Sequence, residues 1–276
     1  MFKERFMSAI VLVILLVVFL LAGKLPLLLA LLLLSLIAFV EMTKACKVHE
    51  DDKKVNALEL VGMLGICIYY IVVFVFGVST YLMLTMIITI SLMMMVYVFT
   101  FPRFHANQVM AAIFAFVYAP VMLSFLYLTR TLEHGVFLVW LTFIGSWICD
   151  TSAYLVGRKI GKHKLAPVLS PKKSIEGAVG GVAGAALVAV LYAGILVKTG
   201  QVGMEAMWMY PVICTICSLF SQVGDLAASG IKRNHALKDY GKLIPGHGGI
   251  MDRFDSVIFI APIIYYAAVL LAKTVS

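Results

Sequence analysis

Three aspartates are the side chains best suited to chemistry in a chain that is otherwise rich in apolar residues: Asp225, Asp252 and Asp255. Asp252 and Asp255 are three residues apart, so they share one helix face, and the dipole of a helix that begins there favours carboxylates in its first turn. Carboxylate oxygens are hard ligands, which suit Mg²⁺ bridging phosphate groups and do not suit zinc. The pattern predicts a magnesium site, with structural ion pairs to neighbouring cations as the alternative for Asp225 and Asp255.

Cationic side chains and glycines lie in the same part of the chain, which we interpret as a polar loop over residues 229–253. Lys binds phosphate oxygens as a point charge and Arg binds them through paired hydrogen bonds, while glycines let main-chain N–H groups approach an anion closely. The cations are Lys232, Arg233 and Lys238, and the glycines are Gly246, Gly248 and Gly249. His247 could contact phosphate, carry a proton or be a hydrogen-bonded structural histidine. Together these residues predict a cradle for a polyphosphate.

A second polar loop, residues 157–174, carries six cations and no acidic side chain. It ends in Ser170-Pro-Lys-Lys-Ser174, directly before an apolar span whose first helical turn would offer free N–H groups. Such groups form an anion-binding site at a helix N-terminus. We therefore expect a second anion site here, with a basic loop attracted to anionic lipid as the alternative.

Apolar runs cover most of the chain, which has 276 residues, of which 63% are hydrophobic and 13% are charged. A helix of about 20 apolar residues crosses the hydrocarbon layer of a bilayer. The composition predicts an all-α, polytopic integral membrane protein with about nine transmembrane helices, the first of which is not cleaved as a signal peptide. The predicted spans are 5–22, 25–42, 57–77, 78–98, 106–128, 135–156, 175–198, 205–228 and 254–273.

The distribution of positive charge predicts the orientation in the membrane. With the N-terminus inside, 18 of the 22 Lys and Arg residues fall on the inner side, as the positive-inside rule requires of a cytoplasmic face. Anionic lipid and anionic substrate then account for the net charge of +8, and no nucleic acid is needed. Asp150 and Asp225 precede the nearest basic residues by eight and seven positions, which places them about 10 to 12 Å below that surface. A lipid headgroup and a water-soluble reactant can meet there.

The two halves of the chain differ in polar content. Residues 1–134 have few polar residues within their spans, and we interpret them as a scaffold of transmembrane helices. Residues 135–276 contain Asp150 inside a span and both polar loops, so we expect the catalytic region there, at the cytoplasmic ends of its helices. The five cysteines are an odd number, mostly within or beside spans, and imply no disulfide framework.

Two stretches of sequence motif cover much of residues 145–255. Over residues 229–255 the chain reads Ser-x-Ile-Lys-Arg, Lys-Asp-x-Gly, Ile-Pro-x-His-Gly-Gly-Ile and Asp-Arg-Phe-Asp. These residues resemble the signature of the phosphatidate cytidylyltransferases, also called CDP-diacylglycerol synthases, and residues 149–177 are similar to that family's other recurrent stretch. The departures are few: glycines are expected at Cys149 and Ser152, and Thr-Trp at Ser174-Ile175.

The resemblance implies a multi-helix membrane enzyme that converts CTP and phosphatidate to CDP-diacylglycerol and pyrophosphate with Mg²⁺, and it leaves room for a second cation such as potassium. It assigns metal binding to Asp225, Asp252, Asp255 and Asp239. It assigns substrate binding to Lys172, Lys173, Lys232, Arg233, Lys238, Asp150 and Arg253, and orientation of the phosphates to Ser170, Ser174, Ser229 and His247. Direct roles in catalysis are expected for Asp225, Asp252, Lys238 and His247. Anionic membrane lipid is an expected partner, and the choice between monomer and homodimer stays open.

Two other functions compete with this interpretation. A cation or proton transporter would also place acids such as Asp150 and Asp225 inside spans, but its polar path should continue towards the outer side, where charged residues are few. A CTP-dependent polyprenol kinase would use similar phosphate-binding residues. A CDP-alcohol phosphotransferase is disfavoured, because its Asp-x-x-Asp-Gly-x-x-Ala-Arg pattern is absent from the sequence.

Overall fold

Helices account for almost all of the regular structure. The structure is a computed structural model, which describes residues 2–48, 55–244, 246 and 248–275. Over these ranges the chain forms nine long helices and one short β-hairpin, which confirms the predicted all-α class. The helices are α1 (Phe2–Ala22), α2 (Lys24–Ala45), α3 (Ala57–Phe76), α4 (Thr80–Phe99), α5 (Ala106–Thr131), α6 (Gly135–Ile160), α7 (Ile175–Lys198), α8 (Ala206–Asn234) and α9 (Met251–Val275). Turns of π-helix interrupt α5 at Val117–Val121 and α6 at Ile144–Ile148.

The described helices have the lengths and compositions of membrane spans. Eight of them, α2 to α9, are long and apolar enough to cross a bilayer, and α1 contributes a shorter apolar stretch, Ile10–Ala22. Large apolar side chains on α3 and α4, such as Ile71 and Met83, are more than half exposed. Contiguous exposed apolar surface of this kind is typical of a protein that meets lipid. The chain is therefore a multi-pass membrane protein, as the nine predicted spans require.

The polar segments contain more regular structure than the sequence predicted. Helix α8 continues to Asn234, so Ser229, Lys232 and Arg233 lie on its last turns and the predicted loop over residues 229–253 is shorter. No proline interrupts this stretch, and cations in the last turn of a helix interact favourably with the helix dipole. The connection to α9 is thus confined to residues 235–250.

The other predicted loop, residues 157–174, contains an antiparallel hairpin. Its strands are β1 (Lys164–Ala166) and β2 (Ser170–Ser174), with Lys164 opposite Ser174 and Ala166 opposite Ser170. Helix α6 also runs to Ile160, beyond its predicted end at residue 156. The basic segment is therefore short and structured on both sides, and β2 leads directly into α7.

Contacts divide the chain into two compact units. Unit 1 consists of Met1–Leu128 and Asn234–Phe254, and unit 2 of Thr129–Arg233 and Asp255–Ser276. The sequence placed residues 234–254 in the C-terminal region, whereas the structure groups them with the N-terminal helices. The reason lies in α2, whose Glu41 carboxylate accepts hydrogen bonds from this segment.

The core of unit 1 is aromatic and contains a few satisfied polar groups. Tyr69, Tyr70 and Phe116 are almost fully buried, and the rings of Tyr69 and Phe116 meet edge to face. The Tyr70 hydroxyl contacts Ser35 Oγ at 2.6 Å and donates to the Pro120 carbonyl at 3.4 Å. Proline has no N–H to give to a helix, and the π-helical turn of α5 lies at this position. The bond from Tyr70 links α3 to that turn.

Small residues allow α6 and α7 of unit 2 to approach closely. Gly177, Gly181 and Ala185 follow one another at intervals of four on α7 and are buried. A Cβ added to Gly177 would lie 2.7 Å from the main-chain oxygen of Ala153 on α6, so a larger side chain does not fit there without a shift of the helices. The Gln222 amide on α8 adds a polar tie by donating to the Ala178 carbonyl at 3.1 Å. These contacts fix the ends of the helices that carry the polar residues of unit 2.

Candidate active site

An acidic cluster in unit 2 gathers residues from three helices and the hairpin. Asp225, on α8, forms an ion pair with Lys173 of β2. Asp150, on α6, accepts a hydrogen bond from the Ser256 hydroxyl at 3.4 Å. Asp255, in the first turns of α9, accepts from the Ser256 N–H at 2.7 Å and from its hydroxyl at 3.3 Å. The Ser256 side chain therefore lies between two carboxylates, and Lys173 brings the predicted basic segment to the predicted acidic one.

The carboxylates of this cluster interact with one another and with cationic side chains. Asp255 is within electrostatic range of Asp150, Asp225 and Lys232, and Asp150 is within range of Lys173. Among the described residues, these interactions join the three carboxylates to one another and to the ammonium groups of Lys173 and Lys232. The side chains of Lys173 and Asp225 are only 27% and 25% exposed, so water screens their charges incompletely. Like charges held this close raise the free energy of the cluster unless a further cation is bound.

The donor set of the cluster fits a hard divalent cation, because its oxygens come from carboxylates and a serine hydroxyl. Among the described residues, no three side chains of His, Cys, Asp or Glu lie close enough together to hold a metal ion. Of the four predicted metal ligands, Asp225 and Asp255 belong to this cluster in unit 2, whereas Asp239 and Asp252 belong to unit 1. Magnesium therefore stays a prediction for both pairs.

At the start of α7, where the sequence predicts an anion site, two main-chain N–H groups have acceptors within the protein. Ser174 is buried and caps the helix, since its Oγ accepts a hydrogen bond from the Gly177 N–H at 3.1 Å. The Ile175 N–H donates to the His163 carbonyl at 2.9 Å. The Glu176 carboxylate accepts the His163 N–H at 3.2 Å and contacts the His163 ring at 2.6 Å. Oxygens of Ser174 and His163 thus accept the N–H groups of Gly177 and Ile175, and Glu176 ties the segment before the hairpin to α7.

The same contacts hold the hairpin and position Lys173. Successive side chains of a strand point to opposite faces. Lys173 is partly buried and pairs with Asp225, while the neighbouring Lys172 is exposed. Ser170 is partly buried at the first position of β2. Of the cations predicted for this segment, Lys173 is therefore the one that reaches the acidic cluster.

The last turns of α8 carry the remaining predicted residues of unit 2. Ser229 lies one helical turn after Asp225 and shares its face. Lys232 is partly buried and interacts electrostatically with Asp255, whereas Arg233 is exposed. Helical structure in this stretch, which the sequence predicted as loop, thus aligns Ser229 with the acidic cluster.

The glycine-rich connection in unit 1 forms a tight turn. Gly246 and Gly248 have φ values of 74° and 85°, a left-handed conformation that glycine adopts at no steric cost. The Ile244 N–H donates to the Gly248 carbonyl at 2.9 Å and closes the turn. His247, one of the predicted catalytic residues, lies outside the described residues. The left-handed pair explains why the sequence needs glycines here.

A cleft of about 360 Å³ is lined by this turn and its neighbours. Three of its lining side chains, Lys238, Lys242 and Arg253, are cations, and Asp239 is a carboxylate. The other lining residues are Gly241, Ile244, Gly246 and Gly248. A cationic wall with exposed main chain suits an anionic ligand such as phosphate. The structure thus brings together the predicted residues Lys238, Asp239 and Arg253.

Two carboxylates hold the main chain of this segment. Asp252 Oδ2 accepts hydrogen bonds from the N–H groups of Tyr240, at 2.8 Å, and Gly249, at 3.0 Å. Glu41, which the sequence analysis did not single out, accepts the N–H groups that begin α9. The signal that could have revealed Glu41 is its position as a lone acid within an apolar span, which is costly unless the acid has partners.

Comparison with known proteins identifies the family of this chain. A family model described as the cytidylyltransferase family matches residues 3–271 of this chain. The chain belongs to the cytidylyltransferase family. The match extends over both compact units. The helices of residues 1–134, which we interpret as a scaffold, are therefore part of the region that the family shares.

Several bacterial relatives of the enzyme carry one name. A phosphatidate cytidylyltransferase of Staphylococcus saprophyticus is 35% identical over 263 residues, which is 95% of this chain and 97% of the relative. The Staphylococcus aureus phosphatidate cytidylyltransferase is 33% identical over 267 residues with the same coverage. That of Staphylococcus epidermidis is 40% identical over 146 residues, about half of each chain.

Membership of this family decides between the classes of function considered above. The protein is a nucleotidyltransferase of phospholipid biosynthesis in a membrane, and not a cation or proton transporter. The acids within its spans belong to an enzyme, which agrees with the cationic partners that the structure gives them.

Proposed function

We propose that this enzyme transfers the cytidylyl group of CTP to phosphatidate, producing CDP-diacylglycerol and pyrophosphate. The observation that carries the proposal is similarity along nearly the whole chain to proteins named phosphatidate cytidylyltransferase. The charged residues of both units support it, because the reaction joins two phosphate-bearing substrates. The predicted position of Asp150 and Asp225, just below the membrane surface, suits a reaction between a lipid headgroup and a soluble nucleotide.

The chemistry needs charge neutralisation and alignment more than it needs a protein nucleophile. A phosphate oxygen of phosphatidate attacks the α-phosphorus of CTP, a new P–O–P bond forms, and the bond to the β-phosphate oxygen breaks to release pyrophosphate. Both reactants are anions, so repulsion opposes their approach. Cationic groups and in-line positioning lower the barrier to phosphoryl transfer of this type.

We propose that Asp225 and Asp252 bind Mg²⁺, with Asp255 and Asp239 as further ligands. The mutual repulsion of Asp225, Asp150 and Asp255 supports the first of these assignments. When bound, magnesium would offset the negative charge of the phosphates. A second cation such as potassium is part of the same proposal.

The cationic residues of each unit are proposed to bind phosphate groups. In unit 2, Lys173 is the best placed, because its ammonium group already contacts the acidic cluster. In unit 1, Lys238 and Arg253 line the cleft described above. The proposal also includes Lys172, Lys232, Arg233 and Asp150 as substrate-binding residues and Ser170, Ser229 and His247 as orienting residues. Ser174 acts through the hairpin, because its hydroxyl caps α7.

We further propose that the enzyme lies in the cell membrane with its N-terminus and active site on the cytoplasmic side. The support is the charge distribution, in which 18 of 22 Lys and Arg residues fall on one side of the predicted spans. CTP is a cytoplasmic nucleotide, so this orientation gives the enzyme access to its proposed substrate.

Two labelled forms of CTP test the proposed reaction. Purified enzyme in detergent would be incubated with phosphatidate, Mg²⁺ and CTP labelled at either the α- or the γ-phosphate. We expect the α-label in the lipid fraction and the γ-label in pyrophosphate. A γ-label in the lipid fraction would instead identify a kinase, the remaining alternative, and failure of both labels to reach lipid or pyrophosphate would contradict cytidylyl transfer.

A further inference from the structure

Glu41 is a buried carboxylate far in sequence from the residues it binds. It lies near the end of α2, is 8% exposed, and has apolar neighbours along the helix. Its Oε1 accepts the N–H of Ile250 at 3.1 Å, and its Oε2 accepts the N–H of Met251 at 2.9 Å. Met251 is the first residue of α9 and Ile250 directly precedes it, so neither N–H has an acceptor within the helix. Glu41 therefore caps α9 from another element of unit 1.

Two glycines leave the space that the Glu41 carboxylate occupies. A Cβ added to Gly249 would lie 2.5 Å from Glu41 Cδ, and one added to Gly241 would lie 2.7 Å from it. Neither glycine has a left-handed φ, so the main-chain conformation alone does not require glycine at these positions. The requirement is steric and comes from Glu41.

The contacts of Glu41 and Asp252 are linked through the glycine-rich segment. Gly249, which packs against Glu41, also donates its N–H to Asp252 Oδ2 at 3.0 Å. Between them the two carboxylates accept four main-chain N–H groups of residues 240–251. The same segment lines the cationic cleft with Gly241 and Gly248. Glu41 therefore helps to fix the main chain that lines the cleft.

We propose that Glu41 is a positioning residue for the nucleotide: it does not touch the substrate, but it fixes the glycine-rich segment whose cleft binds the phosphates of CTP. The inference rests on the proposed function for the identity of the ligand. A buried carboxylate is costly unless it accepts strong hydrogen bonds, and bonds from N–H groups at a helix start are charge-assisted. Its persistence here is explained by the two bonds it accepts and by the dipole of α9.

The variant Glu41→Gln tests the proposal, because the amide keeps the size of the side chain but replaces one acceptor oxygen with an N–H₂ donor. That donor would face the N–H of Ile250 or Met251. We expect the KM for CTP to rise on the order of tenfold, while kcat falls less and the KM for phosphatidate does not change. A merely structural role would lower the amount of active enzyme and leave the KM for CTP as it is.

Glu59→Gln is the matched control. Glu59 is also a buried carboxylate of unit 1, 1% exposed, and it accepts the Asn56 N–H at 3.1 Å and the Thr43 hydroxyl at 2.7 Å. We expect this variant to lose thermal stability with an unchanged KM for CTP. An equal rise in KM in both variants would overturn the specific role of Glu41.

Gly249→Ala should reproduce the Glu41→Gln phenotype, because its methyl group displaces the same carboxylate. It also keeps the test open if Glu41→Gln cannot be purified. Hydrogen exchange, which needs no substrate, should show faster exchange of the Ile250 and Met251 amides in both variants. Unchanged exchange, or an unchanged KM for CTP in both variants, would overturn the proposal. Absence of CTP turnover by the wild type would contradict the proposed function alone, since the exchange result would still decide whether Glu41 holds the segment.

Discussion

The acidic cluster of unit 2 and the glycine-rich segment of unit 1 both involve buried or partly buried carboxylates. The two regions differ in the partners that these carboxylates have. Asp225 is paired with the side chain of Lys173, and Asp255 interacts with Lys232. Glu41 and Asp252 instead accept main-chain N–H groups. An ammonium group on a flexible stem can exchange one partner for another, whereas a main-chain N–H is fixed by the fold.

This difference indicates how each region contributes to the reaction. Carboxylates with mobile cationic partners are suited to take up a metal ion or to release a lysine to a phosphate. Carboxylates that bind main chain are suited to hold a binding surface in shape. Asp252 belongs to the second group by its contacts and to the first by its proposed metal role, so it is the residue on which the comparison depends most.

Asp225→Asn should have the largest effect. We expect loss of activity on the order of 10³-fold, because the variant removes a negative charge at the proposed metal site. Thermal stability should change little, because the lost attraction to Lys173 is offset by the lost repulsion from Asp150 and Asp255. The assays are α-label transfer and thermal unfolding in detergent. Activity within tenfold of the wild type would remove Asp225 from the metal site.

Asp252→Asn distinguishes the two roles of that residue. If Asp252 binds metal, turnover should be abolished while the protein stays folded, because the asparagine oxygen can still accept the Tyr240 or Gly249 N–H. Circular dichroism and transfer activity would be measured on the same preparation. Normal activity would refute the metal role, and an unfolded variant would assign Asp252 to structure.

Lys173→Met and Lys172→Met compare neighbours on opposite faces of β2. Lys173 contacts the acidic cluster and Lys172 is exposed. We expect activity to fall on the order of 10²-fold for Lys173→Met and about tenfold for Lys172→Met. Both variants lose a proposed phosphate-binding charge, and the charge of Lys173 is the nearer one to the acidic cluster. Initial rates at saturating CTP would show the difference. Equal losses would mean that the pairing with Asp225 is not what matters.

Ser174→Ala should have the smallest effect on turnover. The variant removes the cap of α7, which costs about 1 kcal/mol of stability. We expect a small loss of activity, because the hairpin that positions Lys173 becomes less well ordered. Thermal unfolding together with kcat and KM for both substrates would be measured. A loss of activity as large as that of Lys173→Met, without loss of stability, would mean that the hydroxyl binds substrate directly.

Periodicity predicted the helices better than it predicted their ends. The apolar run over residues 175–198 coincides with α7, because Ser174 supplies a clear cap. The sequence predicts the end of α8 at Ala228, six residues before its observed end, because the residues beyond the apolar run are polar, as in a loop, although cations there favour a helical last turn. The hairpin was missed because its strands are too short to show an alternating pattern.

The site was predictable where it depends on side-chain type and not where it depends on tertiary contacts. The spacing of Asp225, Asp252 and Asp255 and the run of cations indicated phosphate chemistry. No local pattern could reveal that Lys173 pairs with Asp225 or that Glu41 caps α9, because these contacts join residues 52 and more than 200 positions apart. The capping of the Ile175 N–H by the His163 carbonyl was equally hidden from local patterns, and the anion site at α7 stays a prediction.

The most direct test of the central claim is the stoichiometry of products from α-labelled CTP and phosphatidate as magnesium is varied. The account predicts one lipid-bound cytidylyl group for each pyrophosphate released, and no product when Mg²⁺ is removed by chelation. Pyrophosphate without labelled lipid, or equal transfer in the absence of divalent cation, would contradict it.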